Sequence, residues 1–365
     1  RQMCIRDRSL RGIFAIFVFL SHYSIFISTD ESYRVFYPGG TSAVEYFIVL
    51  SGFVMCAGYE KIVEKRDIGY GDFMMRRIVR IYPLHLLCLT YWILTHFLHP
   101  EELAGQFGPI VTNLFCVQSW VPDHTYYYGC NTPSWCVGVF FFLYALFPFI
   151  IRLYERRPLR FVIGFFIFWA AFTLYIYWLP SQKLGTDLNL YFARILPPVR
   201  VIDFVLGIML WQLYRYIKEH NLAERFLSRG VVIKTVAELV VVVAYCGGVF
   251  LANRLGAKYC TSVIWWIPMI LTVMVFALTD GRGGLMSRLL SWRPIIYFGN
   301  ASFCYYLTHM LTYRSAERVF NHFGLLEAQW PRFWVIFALT LVAALLVYRY
   351  IDGPFVAYLR RRLKL

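Results

Sequence analysis

Apolar runs long enough to form transmembrane helices recur along the whole sequence. Each run contains roughly 20 residues, the length of α-helix that crosses about 30 Å of hydrocarbon. Their spacing predicts about ten transmembrane helices in an all-α, polytopic integral membrane protein. We place them at residues 10–28, 41–59, 81–98, 135–153, 159–179, 201–217, 235–251, 261–279, 295–311 and 333–350. The pattern predicts a single transmembrane domain over residues 9–365, and we interpret residues 1–8, which do not continue it, as an uncertain or artefactual N-terminal start.

The composition agrees with a membrane protein. Hydrophobic residues make up 59% of the chain, charged residues 16%, and the mean hydropathy is +0.55. Soluble domains contain about 25% charged residues. The aromatic content of 19% suits a chain that is anchored at two membrane interfaces. No stretch between the predicted helices is long enough to fold as a separate soluble domain.

The placement of lysine and arginine predicts the orientation in the membrane. An even number of spans puts both termini on one side, and the connections on that side hold most of the basic residues. The longest connection on the other side, residues 99–134, contains no lysine or arginine. The positive-inside rule therefore places both termini in the cytoplasm. The net charge of +15 fits this topology and anionic lipid headgroups; it does not indicate nucleic acid, because no basic soluble face is predicted.

Ionisable residues lie within the first two predicted spans. Arg11 and His22 flank the apolar part of RGIFAIFVFLSHY, and eleven steps of ~100° return to nearly the same helical face, about 16 Å along the axis. An ionisable group inside a membrane normally marks a functional site. For His22 the alternative is a place at the outer interface or one hydrogen bond between helices. Glu45 in the second span is likewise either a functional carboxylate or an interfacial one.

Arginines cluster at the start of the third predicted span. In RRIVRIY, Arg76 and Arg80 are four residues apart and share a helical face, and Arg77 lies beside them. Lysine would satisfy topology equally well, whereas the planar guanidinium fork is suited to phosphate. The alternative is ordinary cytoplasmic positive charge. At the sixth span, Arg200 and Asp203 are three residues apart, and this spacing predicts a structural ion pair.

The cysteines do not indicate a metal site. The nine cysteines lack the spacing of zinc or iron–sulfur ligands, and most fall within apolar spans. Cys116 and Cys130 share the long outer connection, where a disulfide between them is one possibility. The sequence therefore predicts no bound metal.

Taken in order, motifs between residues 10 and 363 resemble those of the acyltransferase-3 family of bacterial integral-membrane O-acyltransferases. Each motif alone is common, but their order, their spacing and the predicted topology agree with the family together. The matching positions are Arg11 followed by His22, Glu45 before Ser51–Phe53, Arg76 and Arg77 leading to Arg80 and Pro83, Trp135 at the fourth span, Gly299, Ser302 and His309 at the ninth, and Asp352 in a final acid–x–Pro–Phe motif.

The resemblance implies transfer of an acyl group, most often acetyl, from coenzyme A to a hydroxyl of a cell-surface glycan or glycolipid, in the bacterial inner membrane. His22 would be the general base or a transient acyl carrier, since imidazole titrates near neutral pH. Glu45 would orient that imidazole. Acetyl-CoA would be the donor, and charge-assisted bonds would hold its phosphates. The residues implied to bind it are Arg76, Arg77 and Arg80 at the phosphates and Arg11 along the thioester arm.

Three further residues are implied to bind or position the acceptor. They are Trp135, Ser302 and His309, with aromatic residues of 99–134 offering stacking surfaces for a sugar. The implied partners are a glycan or lipid-linked sugar and the lipid bilayer itself.

One position departs from the family pattern. Family members read W-S-L-S-x-E-x-F-F-Y in the fourth helix, and this chain reads WCVGVFFFLY. Phe140 occupies the place of the glutamate, and Cys136 and Gly138 occupy those of the serines. We expect slow acyl transfer unless another carboxylate, Glu45 above all, supplies the missing function.

Two other functions remain open from the sequence. In one alternative, the chain passes acyl groups across the membrane to a separate periplasmic transferase. Alternatively, a proton-coupled secondary transporter would use His22, Glu45 and His309 as a proton relay. Transporters of that kind usually contain repeated halves and matching broken helices, and the sequence has neither.

Overall fold

The computed structural model describes residues 3–26, 37–63, 69–97, 103–223, 230–255, 262–279, 283–326 and 328–364. Within these ranges all regular structure is helical. The principal helices are α1 (Met3–Phe26), α2 (Tyr37–Val63), α3 (Tyr70–Phe97), α4 (Phe107–Leu114), α5 (Trp135–Arg156), α6 (Pro158–Trp178), α7 (Val201–Glu219), α8 (Val231–Leu255), α9 (Ser262–Leu278), α10 (Leu285–Leu290), α11 (Arg293–Phe323), α12 (Gln329–Leu346) and α13 (Gly353–Arg362). Short helical turns join them, and Tyr191–Ile195 and Val347–Asp352 are π-helical.

Six helical segments of the described chain are long and apolar enough to cross a membrane. They are residues 38–59, 70–97, 132–156, 158–182, 231–254 and 330–362. α9, at the predicted eighth span, is a shorter apolar helix. The all-helical class and the presence of membrane-spanning helices are thereby confirmed. The number of ten spans and the cytoplasmic termini stay predictions, and residues 27–28 of the first predicted span lie outside the described residues.

Two helices extend more than ten residues beyond their apolar runs. α3 begins at Tyr70, well before the predicted start at residue 81, so the arginine motif lies inside a continuous helix. Pro83 removes one backbone hydrogen bond but does not end this helix. α11 continues to Phe323, beyond the predicted end at residue 311. Hydropathy does not predict these helix ends, because the backbone hydrogen bonds of a helix form whether or not its side chains are apolar.

The chain divides into two compact units, and the single transmembrane domain over residues 9–365 stays a prediction. The first contains residues 1–68, 149–194 and 198–300, and the second contains residues 69–148, 195–197 and 301–365.

In the first unit, α2 contacts α1, α7, α8 and α9. α1 runs antiparallel to α2. Phe14 stacks on Tyr46 with ring centroids 4.0 Å apart, whereas Phe17, further along α1, lies beside Gly39, which is earlier in α2. This is the direction expected of two consecutive membrane spans.

α7 runs parallel to α2 and packs closely against it. Glu45 pairs with Arg200 at one level, and Gly52 lies against the carbonyl oxygen of Phe204 at the next. A methyl group on Gly52 would lie 2.1 Å from that oxygen, and one on Gly207 would lie 1.9 Å from a carbonyl oxygen of α2. Small residues permit this backbone contact, as in other membrane helix pairs. The Ser51–Phe53 motif therefore has a packing role through its glycine.

The start of α1 is fixed to the end of α9. The buried Arg6 side chain donates through Nη1 to the carbonyl oxygen of Thr279 (2.9 Å), to its Oγ1 (3.0 Å) and to the carbonyl oxygen of Phe276 (3.2 Å). The last carbonyl groups of a helix lack intrahelical donors and carry partial negative charge, so a guanidinium stabilises them. Residues 3–8 thus belong to α1, and Arg6 contributes to the packing of the first unit.

A buried glutamate fixes the start of α10. The Glu238 carboxylate, fully buried on α8, accepts from the backbone N–H groups of Gly284 (2.9 Å), Met286 (2.9 Å) and Ser287 (3.2 Å), and from the Ser287 hydroxyl (2.5 Å). Unpaired N–H groups at a helix start favour an anion. Glu238, inside the predicted seventh span, is therefore a structural anchor.

In the second unit, α11 is attached to the turn that precedes α5. Asn131 donates through Nδ2 to the carbonyl oxygen of Leu307 (2.8 Å), and the Tyr306 hydroxyl donates to the carbonyl oxygen of Pro133 (3.1 Å). These bonds join residues more than 170 positions apart in the sequence. They hold the part of α11 that carries Ser302 and His309 against the start of α5.

Candidate functional site

His22 lies near the end of α1, against the beginning of α2. The side chain of its neighbour Ser21 contacts Gly40, so His22 is at the level of residues 39–40 of α2. The imidazole is partly exposed. Glu45 follows five residues later on α2, about 7.5 Å along the axis at 1.5 Å per residue. Arg11, also partly exposed, lies eleven residues earlier on α1, beside Gly12, which contacts Phe298.

Glu45 belongs to a buried ion triad. Nη1 of Arg200 donates to Oε1 of Glu45 (2.5 Å) and to Oδ2 of Asp203 (3.1 Å), and the three side chains are at most 1% exposed. Nε of Arg200 donates to the carbonyl oxygen of Arg194 (2.7 Å), and the Trp266 indole donates to Oδ1 of Asp203 (2.8 Å). The predicted Arg200–Asp203 ion pair is confirmed. Glu45 belongs to this triad as well, and its predicted role of orienting the His22 imidazole stays a prediction.

The arginines of α3 have different surroundings within the second unit. Nη1 of Arg80 donates to Oδ2 of Asp352 (2.9 Å), so this guanidinium already has a carboxylate partner. The guanidinium of Arg77 lies over the rings of Phe73 (5.4 Å) and Tyr144 (5.9 Å). Aromatic faces attract a cation without neutralising it. Arg77 is therefore better suited than Arg80 to bind an external anion.

Arg76 and Arg77 also have buried nitrogen atoms without a hydrogen-bond partner among the described residues. The atoms are the Nε of each side chain, and both side chains are partly exposed. A buried N–H donor without an acceptor is costly, so an acceptor-rich ligand would be favoured there. Phosphate oxygens are such acceptors.

The three residues implied in acceptor positioning are buried in the second unit. Trp135 and Ser302 are 4% and 6% exposed. His309 is 1% exposed, and its Nδ1 lies 2.6 Å from the carbonyl oxygen of Tyr306. Because a carbonyl oxygen only accepts, Nδ1 carries the proton of this bond, which fixes the orientation of the ring. A positioning role for His309 stays a prediction.

Phe140 lies one helical turn before Tyr144, in contact with it. Their rings stack with centroids 5.8 Å apart, and the Tyr144 ring in turn faces the Arg77 guanidinium. The residue in the glutamate position is thus separated from an arginine of the predicted donor site by one aromatic ring. Gly138, in a serine position of the family, has no room for a side chain: a Cβ would lie 2.6 Å from the carbonyl oxygen of Cys116.

Buried polar residues of the long connection form a hydrogen-bond network that the sequence pattern does not predict. His85 on α3, 1% exposed, bonds through Nε2 to the carbonyl oxygen of Asn113 (2.8 Å). The Asn113 side chain accepts from the Ser134 hydroxyl (2.6 Å), and Gln118 donates to the Ser134 carbonyl (2.7 Å). In the sequence, the only sign of this network is that several polar residues lie in a connection next to an apolar span. Which of them hydrogen-bond to one another is decided by the folded connection.

Cys116 and Cys130 are both free thiols, so the disulfide considered from the sequence is not formed. Burial raises the pKa of both thiols to about 12, and both are therefore protonated and unreactive near neutral pH. No group of three or more metal-ligating side chains occurs among the residues that the structure describes.

Comparison with known proteins covers nearly all of this chain. A family model described as an acyltransferase domain, of the acyltransferase-3 type, matches residues 8–349. The acyltransferase MdmB of Streptomyces mycarofaciens is 29% identical over 352 residues, 88% of this chain and 82% of that protein.

Two further relatives are named as O-acetyltransferases. The peptidoglycan O-acetyltransferase OatA of Listeria monocytogenes is 22% identical over 339 residues, 87% of this chain and 51% of that protein. A putative O-acetyltransferase of Staphylococcus aureus is 23% identical over 337 residues, 87% of this chain and 53% of that protein. The chain thus spans about half the length of these two relatives. No solved structure matches it.

Proposed function

This chain belongs to the acyltransferase-3 family and is a membrane enzyme that transfers acyl groups. On that premise we propose that it moves an acetyl group from cytoplasmic acetyl-CoA to a hydroxyl of a cell-envelope glycan or glycolipid. Two relatives carry the name O-acetyltransferase, and one of them acts on peptidoglycan according to its name. We further propose a bacterial inner-membrane location with both termini in the cytoplasm, on the distribution of basic residues.

His22 is the proposed base of the reaction. A sugar hydroxyl is a poor nucleophile until a base removes its proton, and an imidazole is suited to that task near neutral pH. The proton of the hydroxyl passes to His22 while the oxygen attacks the thioester carbonyl. The C–S bond then breaks, and the leaving thiolate takes up a proton. In the alternative route, His22 itself carries the acyl group between the two substrates.

Arg77 and Arg76 are the proposed phosphate-binding residues. The observation that carries this assignment is the pair of buried Nε atoms without a partner among the described residues. Arg80 is proposed to act less directly, because it holds Asp352 and thereby joins α3 to the end of the π-helical segment Val347–Asp352. Arg11 remains the proposed contact to the thioester arm.

Trp135, Ser302 and His309 are proposed to position the acceptor. All three are held in the second unit near the turn Thr132–Ser134, whose backbone is bonded to α11. The acceptor chemistry is a hydroxyl on a glycan or a lipid-linked sugar. No metal takes part in this proposal.

Binding of acetyl-CoA tests the donor site directly. Calorimetry on the purified chain in lipid nanodiscs should detect acetyl-CoA binding, and Arg77→Ala should weaken it by roughly ten- to a hundredfold, because a charge-assisted bond contributes about 1.5–3 kcal/mol. Arg77→Lys should restore only part of the affinity, since an ammonium lacks the planar fork. Arg156→Ala, which removes an exposed arginine at the end of α5, is the matched control and should bind normally.

The same preparation distinguishes the enzyme from an acyl relay. The chain alone should form an ester on an added glycan acceptor, whereas a relay would bind acetyl-CoA but leave the acceptor unmodified. Equal acetyl-CoA affinity in Arg77→Ala and Arg156→Ala would mean that the arginine cluster only sets the membrane orientation and does not bind the donor. A glycan mass comparison of cells with and without the protein would then identify the acceptor.

A further inference from the structure

The helices at the end of the chain run antiparallel to α3 within the second unit. Nε2 of His96, near the end of α3, lies 3.3 Å from Nη2 of Arg318 on α11. Nε of Arg332, near the start of α12, lies 2.8 Å from Oε1 of Glu317, the neighbour of Arg318. α12 therefore begins at the level where α3 ends. Because α12, the π-helical segment and α13 follow one another directly, they extend back along α3 toward its start.

The Arg80–Asp352 ion pair fixes the level at which α13 meets α3. Asp352, buried at the end of the π-helical segment, accepts from Arg80 (2.9 Å), and α13 contacts α3. Four residues after Asp352, the buried Val356 is level with Arg76, which is four residues before Arg80. Arg360 follows four residues later, roughly 6 Å closer to the start of α3. α13 thus brings a further arginine to the part of α3 that carries Arg76.

Arg360 lies next to the face of α13 that is turned toward the protein. Val356 is buried and Leu359 is partly buried, so these two positions mark that face. With 3.6 residues per turn, Arg360 is about 40° from Val356, whereas Arg361 and Arg362 are about 140° and about 120° from it. All three arginines are exposed. Arg360 therefore lies beside the surface of α3, and the next two arginines lie on the other side of the helix.

This part of the second unit contains more guanidinium groups than carboxylates. Asp72 is the one acidic residue of α3, α13 has none, and Asp352 is already in an ion pair. Arg76 and Arg77 each have a buried Nε without a hydrogen-bond partner among the described residues, and Arg360 adds a further positive charge. Such an excess favours a polyanion, and phosphate oxygens accept bidentate hydrogen bonds from guanidinium groups.

We propose that Arg360 is a second phosphate-binding position, which contacts the 3′-phosphate of coenzyme A while Arg76 and Arg77 contact its diphosphate. The identity of this ligand rests on the proposed function. In coenzyme A the diphosphate joins the thioester arm to the ribose, and the 3′-phosphate is at the far end, on the ribose. Arg360 lies closer to the start of α3 than Arg77 does, and the apolar part of α3 lies in the opposite direction. The outermost arginine therefore meets the phosphate that is most remote from the thioester.

Calorimetric titrations with acetyl-CoA and with 3′-dephospho-acetyl-CoA test this assignment, using the full chain in nanodiscs of uncharged phosphatidylcholine. Arg360→Ala should weaken binding of acetyl-CoA by about three- to tenfold, because an exposed ion pair is partly screened by water. It should not change the affinity for the dephospho form, which lacks the phosphate that Arg360 contacts. Arg77→Ala should weaken binding of both molecules, since both contain the diphosphate. Arg361→Ala is the matched control, because it removes the same charge from the other side of α13, and it should bind both molecules normally.

Three results would overturn the proposal: an unchanged affinity for acetyl-CoA in Arg360→Ala, an equal loss for the two molecules in that variant, or an equal loss in Arg361→Ala. A lipid headgroup offers Arg360 the same phosphate chemistry. Repeating the titrations in nanodiscs that contain anionic phosphatidylglycerol separates the two sources, since an effect of Arg360→Ala seen only there would assign Arg360 to lipid and contradict the proposal. Acetyl-CoA binding without a selective effect of Arg360 would refute this inference alone, whereas no acetyl-CoA binding by the unmodified chain would refute the proposed donor as well.

Discussion

Replacing Phe140 by glutamate tests how this chain works without the family carboxylate. Phe140 stacks on Tyr144, and the Tyr144 ring lies 5.9 Å from the Arg77 guanidinium. Phe140→Glu introduces a carboxylate one helical turn from that ring, on the side of α5 that faces an arginine of the proposed donor site. We expect acyl transfer to rise at least tenfold, equivalent to about 1.4 kcal/mol of transition-state stabilisation.

The structural cost of this substitution should be modest. Loss of the aromatic stack removes about 0.5–1.5 kcal/mol. Phe140 is only partly buried, so the new carboxylate keeps some hydration, and Arg77 offers an opposite charge. The expected net change is a lower thermal midpoint by a few degrees with the helix intact. Without the Arg77 charge the carboxylate would lack this compensation, so Phe140→Glu combined with Arg77→Ala should be less stable than either single variant.

The assay is acyl transfer from labelled acetyl-CoA to added glycan by each purified variant. Phe140→Gln is the control, because it has the shape of the glutamate without its charge or its exchangeable carboxyl proton; it should not raise the rate. Robust activity in the unmodified chain that disappears in Phe140→Glu would refute the reasoning. It would mean that the glutamate is dispensable here and that another carboxylate has its role.

Three other outcomes are expected. His22→Ala should lower acyl transfer by roughly 10²–10⁴-fold with little change in thermal midpoint, since one partly exposed imidazole contributes little to the packing of α1; near-normal turnover would disprove its role. Cysteine-labelling reporters near Pro122 and Arg156 should be reached from opposite sides of the membrane, and labelling of both from one side would contradict the predicted topology. Gly52→Leu should destabilise the first unit by about 1–3 kcal/mol or more, because the nearest backbone oxygen would lie 2.1 Å from the new Cβ; a normal midpoint in thermal unfolding would show that α2 and α7 separate freely.

The sequence by itself determined the class of this protein. An apolar run of membrane-spanning length forms a helix whichever helices pack beside it, because a helix in hydrocarbon satisfies its own backbone hydrogen bonds. The order of motifs was sufficient for the family, and the family model confirms it. Local spacing was also sufficient for the Arg200–Asp203 pair, since residues three apart on a helix are neighbours.

The tertiary structure decided which polar residues meet. Glu45 pairs with Arg200 across 155 positions, and Arg80 pairs with Asp352 across 272. Glu238 fixes the start of α10 from another helix. From the sequence these residues were isolated charges or motif positions, because hydropathy records the cost of burying a charge but not the partner that offsets it. Only the packing of helices distant in sequence supplies that partner, and so separates an arginine held within the protein from one suited to bind a substrate.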